Sequence, residues 1–124
     1  DNVSGTYDAL TSNFQHNCPI ELPTPPPSSV VEVTQEGSQL TFTTPLGQAT
    51  GTIDATSGAF EVIVTVPPGN PCIWGCVSTT SGVFQLGQNP LPYAGQGRVD
   101  IKNAFGGVLC RATYNVAGSR TACP

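Results

Sequence analysis

Nucleophilic catalysis needs a base held against a serine or cysteine, and this chain has one histidine to serve as that base. His16 lies two residues before Cys18, in Asn13-Phe14-Gln15-His16-Asn17-Cys18. A reactive Cys–His pair on an exposed segment is therefore one reading; a surface histidine beside a disulfide cysteine is the other. No Gly-x-Ser-x-Gly elbow is present for a serine hydrolase. Glycoside chemistry needs two carboxylates across a cleft. Most of the eight here, such as Glu32, Glu61 and Asp100, fall on the polar side of alternating segments or in turns, where water solvates them.

Metal chemistry is also poorly served. Zinc sites cluster Cys and His, whereas Cys72-Ile73-Trp74-Gly75-Cys76 has three intervening residues and no matching downstream pair. It also lacks the Cys-x-x-Cys spacing of redox and haem-attachment motifs, and no Asp-rich calcium loop occurs. The expectation is no catalytic site, no metal and no cofactor, with Cys72 and Cys76 closing a small disulfide loop. Trp74 inside that loop is either a rigid, exposed interface anchor or a cap on one end of the fold.

Cys18, Cys72, Cys76, Cys110 and Cys123 make five cysteines. Disulfides point to an oxidising compartment, so the protein is expected to be secreted or periplasmic. Asp1 is read as a mature N-terminus left after removal of a signal peptide. Beyond Cys72–Cys76, the expected bridge joins Cys110 to either Cys18 or Cys123; the first and last strands of a closed barrel are neighbours, which brings Cys18 within reach of Cys110. An odd count leaves at least one thiol free or bonded outside the chain, and Cys123 or Cys18 fills that place. Asn2-Val3-Ser4 matches an N-glycosylation sequon.

Charged residues form only 10% of the chain, and the net charge is −4. The surface is therefore expected to be solvated by the hydroxyls and amides of Thr, Ser, Gln and Asn. The cations are Arg98, Lys102, Arg111 and Arg120. Four are too few for a nucleic-acid groove or a polybasic membrane segment. No apolar run reaches the roughly 20 residues of a spanning helix.

The length of 124 residues fits one domain over 1–124. Gly, Pro, Asn and Ser clusters divide it into short segments with β-type alternation. Phe60-Glu61-Val62-Ile63-Val64-Thr65-Val66 places Phe, Val, Val and Val on alternate positions. Strands are expected at 3–11, 30–35, 39–44, 48–54, 59–66, 82–86, 97–105 and 108–116. Glu36-Gly37-Ser38 and Gly106-Gly107 read as hairpin turns. Residues 14–29, carrying Pro25-Pro26-Pro27, read as an extended connection. No window carries a helical stripe. The fold is expected to be all-β, an antiparallel meander of about eight strands closing into a barrel, with a β-sandwich as the alternative.

Ser4-Gly5-Thr6-Tyr7 resembles the Gly-x-Trp motif that opens the first strand of lipocalin-like (calycin) barrels, with Tyr7 in place of the Trp. Arg120, just beyond the last strand, resembles the cation that packs over that aromatic in the family. The resemblance implies a small apolar ligand inside the barrel, although a barrel of this size is also filled by its own side chains. Two functions follow as expectations. One is an exported structural or self-assembling subunit that meets copies of itself or another extracellular protein. The other is a carrier of a small apolar ligand.

Overall fold

Alternation of apolar and polar residues lets each segment bury one face, and closure into a barrel leaves no sheet edge to protect. A computed structural model describes residues 2–19, 22, 24–44, 47–69 and 72–123. Asp1, expected as a mature N-terminus, lies outside the described residues, as do Ile20, Glu21, Pro23, Pro45, Leu46, Asn70, Pro71 and Pro124. The chain forms β1 (Gly5–His16), β2 (Ser28–Glu36), β3 (Gln39–Thr44), β4 (Gly47–Ile53), β5 (Ala59–Val66), β6 (Cys76–Phe84), β7 (Pro92–Lys102) and β8 (Val108–Ala122). Each strand pairs antiparallel with the next, and β1 pairs with β8, from Thr6↔Ala122 to His16↔Ala112. That pairing closes the barrel and excludes the sandwich.

Up-and-down order puts alternate connections at the same end. The basal end carries the N-terminal segment and connections 37–38, 54–58 and 85–91. The apical end carries connections 17–27, 67–75 and 103–107.

The basal half is filled by aromatic rings. Phe84 lies 5.0 Å from Phe60, 5.2 Å from Tyr93 and 5.7 Å from Tyr7, centroid to centroid. Phe42 stacks on Phe60 at 5.5 Å. Val3 and Leu91 are buried against this cluster. The buried Tyr7 hydroxyl donates to the Val3 carbonyl at 2.6 Å. Gln35 Oε1 accepts from the Val3 N–H at 2.9 Å, and the Gln35 N–H donates to Ser4 Oγ at 2.8 Å. The N-terminal segment is thus stitched across the basal end with its buried polar groups paired.

A second, smaller cluster sits apically on Ile101, Cys72, Cys76 and Cys110. Cys18–Cys110 spans 92 residues of sequence with Cα atoms 5.0 Å apart, and Cys72–Cys76 has Cα atoms 5.5 Å apart. Cys110 therefore pairs with Cys18, and Cys123 is the free, exposed thiol. Two disulfides are consistent with an extracellular or periplasmic protein. No helix among the described residues is long and apolar enough to cross a membrane.

Only β3 and β5 keep the expected bounds; β2 and β4 shift by one or two residues at their ends, and four strands depart further, each for a local reason. β1 continues past Thr11 because a bulge between Ser12 and Gln15, with Asn13 at φ 56°, absorbs the break. β6 begins at Cys76, six residues early, since Ser78 and Thr80 take inward positions that the apolar pattern reserves for hydrophobes. β7 begins at Pro92, five residues before the expected start at Gly97, runs through Gly95 and Gly97, and ends at Lys102, three residues before the expected end at Phe105. Gly97 makes room for its cross-strand neighbour: a Cβ there would strike the Tyr114 ring from β8. Gly118 does the same for Tyr93, so β8 runs on to Ala122.

Candidate functional site

The apical end is built from two short loops held rigidly side by side. Pro67 and Pro68 end β5, and the Gly69 N–H donates to the Cys72 carbonyl at 2.8 Å. The Gly75 N–H donates to the same carbonyl at 2.9 Å, with Gly75 at φ 93°, a left-handed conformation that suits glycine. The Cys72–Cys76 bridge closes this turn. The Lys102 N–H then donates to the Gly75 carbonyl at 3.0 Å, tying the loop to the end of β7.

The neighbouring β7–β8 hairpin is organised by Asn103. Its Oδ1 accepts from the N–H groups of Phe105 at 2.9 Å and Gly107 at 3.0 Å, while its own N–H donates to the Gly107 carbonyl at 2.8 Å. Phe105 is left at the tip, 95% exposed. Trp74 is 55% exposed on the disulfide-closed loop, with Ile73 beside it, and Val108 and Leu109 are exposed where β8 begins. Large side chains of this kind are normally withdrawn from water, and here they are concentrated on adjoining loops at one end of the barrel.

The outer wall behind this tip carries charge. Arg111 Nε donates to Asp100 Oδ1 at 2.6 Å, and Arg98 Nε lies 3.4 Å from Asp100 Oδ2. Lys102 follows at the apical end of β7. Half-exposed pairs of this type contribute under about 1 kcal/mol each. Their placement matters more than their strength: three of the four cations lie in the apical half. Among the described carboxylates, Asp8, Glu36, Asp54 and Glu61 lie basally, and Glu32 pairs in register with Thr6 near the start of β1.

Tyr7 and Arg120, two expected site residues, meet at the basal end, far from Trp74. They are register partners across β1 and β8. The Arg120 guanidinium donates to the carbonyls of Asn2 at 3.1 Å and Ser4 at 3.3 Å, and its methylenes lie over Gly5. Burial pushes the Tyr7 phenol up to about 12, against the opposing pull of Arg120. Burial does the same for Tyr93, also to about 12. This pair ties the chain ends over the basal core.

The Cys–His reading of His16 is corrected by the bridge to Cys110, which occupies the Cys18 sulfur. His16 Nδ1 accepts from the Cys18 N–H at 3.1 Å, and its ring lies 5.8 Å from Phe14. Asn2 of the sequon is exposed, while Val3 beside it is fully buried. Among the described residues, no three His, Cys, Asp or Glu side chains are grouped to hold a metal ion. Two open clefts of about 240 and 330 Å³ lie on the wall between β1 and β2 and between β3 and β4; the first is lined by Ser4, Gly5, Thr6 and Glu32, and neither includes Trp74, Phe105, Tyr7 or Arg120.

Sequence reasoning singled out Trp74 but missed Phe105 and Leu109. The available signal was an aromatic residue directly before the Gly106-Gly107 turn: a hairpin tip has no interior side, so Phe105 could only face water. Comparison with known protein families, curated proteins and solved structures finds no match to this chain.

Proposed function

We propose that the protein is an exported, non-enzymatic β-barrel acting as a structural or interaction subunit, docking through its apical tip onto copies of itself or another extracellular component. The observation that carries this reading is the group of exposed Ile73, Trp74, Phe105, Val108 and Leu109 on two tethered loops. The tethers fix the loops beforehand, so docking loses little conformational entropy. Sedimentation velocity on unextracted native material tests it. Wild-type protein is expected in particles larger than the 12.8 kDa chain, and Phe105→Ser/Leu109→Ser is expected to release monomer. Wild type migrating entirely as monomer overturns the reading.

A second reading, a lipocalin-like carrier of a small apolar ligand, is favoured by one feature of the interior. Thr11, Val64, Thr80, Tyr114 and Val116 occupy inward positions in the strand alternation yet are only half-buried. They form a belt of mixed hydroxyl and apolar groups above the aromatic floor. Native mass spectrometry of source material tests it: a co-purifying apolar molecule is expected, and its absence, with no binding of added apolar ligands, removes the reading.

A further inference from the structure

We propose that the apical tip docks on the surface of an anionic phospholipid bilayer, with Phe105, Trp74 and Leu109 entering the headgroup region and Arg98, Lys102 and Arg111 facing lipid phosphates. This inference rests on the reading of the tip as a docking surface and names what it docks on.

The tip is a protrusion and not a groove. Phe105 stands almost wholly in solvent at the apex of a hairpin, and Trp74 projects from a loop closed by a disulfide. A deformable apolar phase accepts such projections without a preformed complementary pocket. Tryptophan suits the membrane–water boundary, because an apolar ring carries a polar N–H. Side chains inserted from rigid loops retain the barrel's hydrogen bonds, so no backbone group enters hydrocarbon unpaired.

Charge fixes the orientation. Arg98, Lys102 and Arg111 lie on the wall behind the tip, offset among the described residues only by Asp100, which Arg98 and Arg111 engage. The other described carboxylates lie on the basal half or beside Thr6. Among the described residues the charge is therefore polarised along the barrel axis, which turns the apical end toward an anionic surface. Three cations fall short of the four to eight of a polybasic segment, so insertion of apolar side chains anchors and the cations orient.

A second copy of the chain fits less well. Tip-to-tip contact matches the apolar groups but opposes like charges. Head-to-tail contact matches the charges but sets the tip against the basal half, where the exposed large hydrophobes among the described residues are scattered along the wall: Val83, and Val30 and Leu10 beside Asp8. An anionic bilayer offers negative headgroups with an apolar layer behind them.

The chain has a single tryptophan, so its emission reports directly on the tip. The full chain is mixed with vesicles of phosphatidylcholine containing one-third phosphatidylglycerol, or of phosphatidylcholine alone, and followed by Trp74 emission and co-sedimentation. The expected result is a blue shift and sedimentation with the anionic vesicles. Affinity is expected to fall about tenfold for phosphatidylcholine alone, for Phe105→Ser and for Arg98→Gln/Lys102→Gln. All variants are checked for an unchanged far-UV spectrum. Equal binding to both vesicle types overturns the anionic assignment. No blue shift and no sedimentation with either type overturns lipid docking. In that case, tip-dependent association of the native material would leave the docking reading standing and assign the tip to a protein partner. Loss of that association as well would remove both.

Discussion

Phe84→Ala tests whether the basal half of the barrel is a packed core or a vessel for something else. Phe84 is fully buried, and its ring contacts those of Tyr7, Phe42, Phe60 and Tyr93 at 5.0 to 6.3 Å. Loss of the transfer free energy of the ring costs about 2 kcal/mol. The four surrounding rings belong to four other strands of a closed barrel and cannot collapse inward far. A residual cavity on the order of 100 Å³, at about 24 cal/mol per Å³, adds about 2 kcal/mol. The sum of about 4 kcal/mol is a large part of the roughly 5–15 kcal/mol that holds such a domain folded. Urea unfolding followed by far-UV circular dichroism is the suitable assay, because Trp74 sits on an exposed loop and reports poorly on the core. Val83→Ala, an outward-facing neighbour, is the control and should stay within about 0.5 kcal/mol. A cost below about 1.5 kcal/mol for Phe84→Ala would show that space already exists around the ring, and the packed-core account would fail.

Other consequences can be checked in parallel. Removing the bridge with Cys18→Ser/Cys110→Ser should cost about 4–5 kcal/mol, and Cys72→Ser/Cys76→Ser only about 2, because chain-entropy loss scales with the logarithm of loop length; equal costs in urea unfolding would contradict this. Gly97→Ala should destabilise by about 1–3 kcal/mol by driving a methyl into the Tyr114 ring. Adding Tyr114→Ala should recover part of that loss in a double-mutant cycle. Tyr7 and Tyr93, both near 12 when folded, ionise first in the unfolded chain at about 10. Their contribution is therefore complete below pH 10 and lost as pH rises toward 12. Melting temperature should fall steeply across that window, and less steeply in Tyr93→Phe; a flat profile in the wild type would count against burial of these phenols.

The fold was legible because burial in a barrel imposes a period of two, and β3 and β5 show that period cleanly in Leu40-Thr41-Phe42 and Phe60-Glu61-Val62. Their bounds fall where the pattern begins and ends. The pattern failed where the interior is not apolar. Ser78 and Thr80 face inward on β6, and Gly95 and Gly97 face inward on β7, where the space above Gly97 is taken by a tyrosine from the next strand. Such positions are set by cross-strand partners, which a linear pattern does not contain. The disulfide choice had the same character: Cys18 reaches Cys110 because Asn17 continues alongside β8, its Oδ1 accepting from the Arg111 N–H at 2.8 Å. The candidate site was half legible. Trp74 stood out between two cysteines, but Phe105 and Leu109 come from a hairpin further along the chain, which the pairing of β6 with β7 brings beside the loop.

The docking account is tested most directly by whether the tip is covered in the native state. Iodide quenching of Trp74 in unextracted native material, compared with the isolated chain, reads this without knowledge of the partner. Trp74 is 55% exposed in the isolated chain and should be readily quenched there. The account predicts that it is shielded in native material and exposed again by Phe105→Ser/Leu109→Ser. Equal quenching in native material and isolated chain would contradict it.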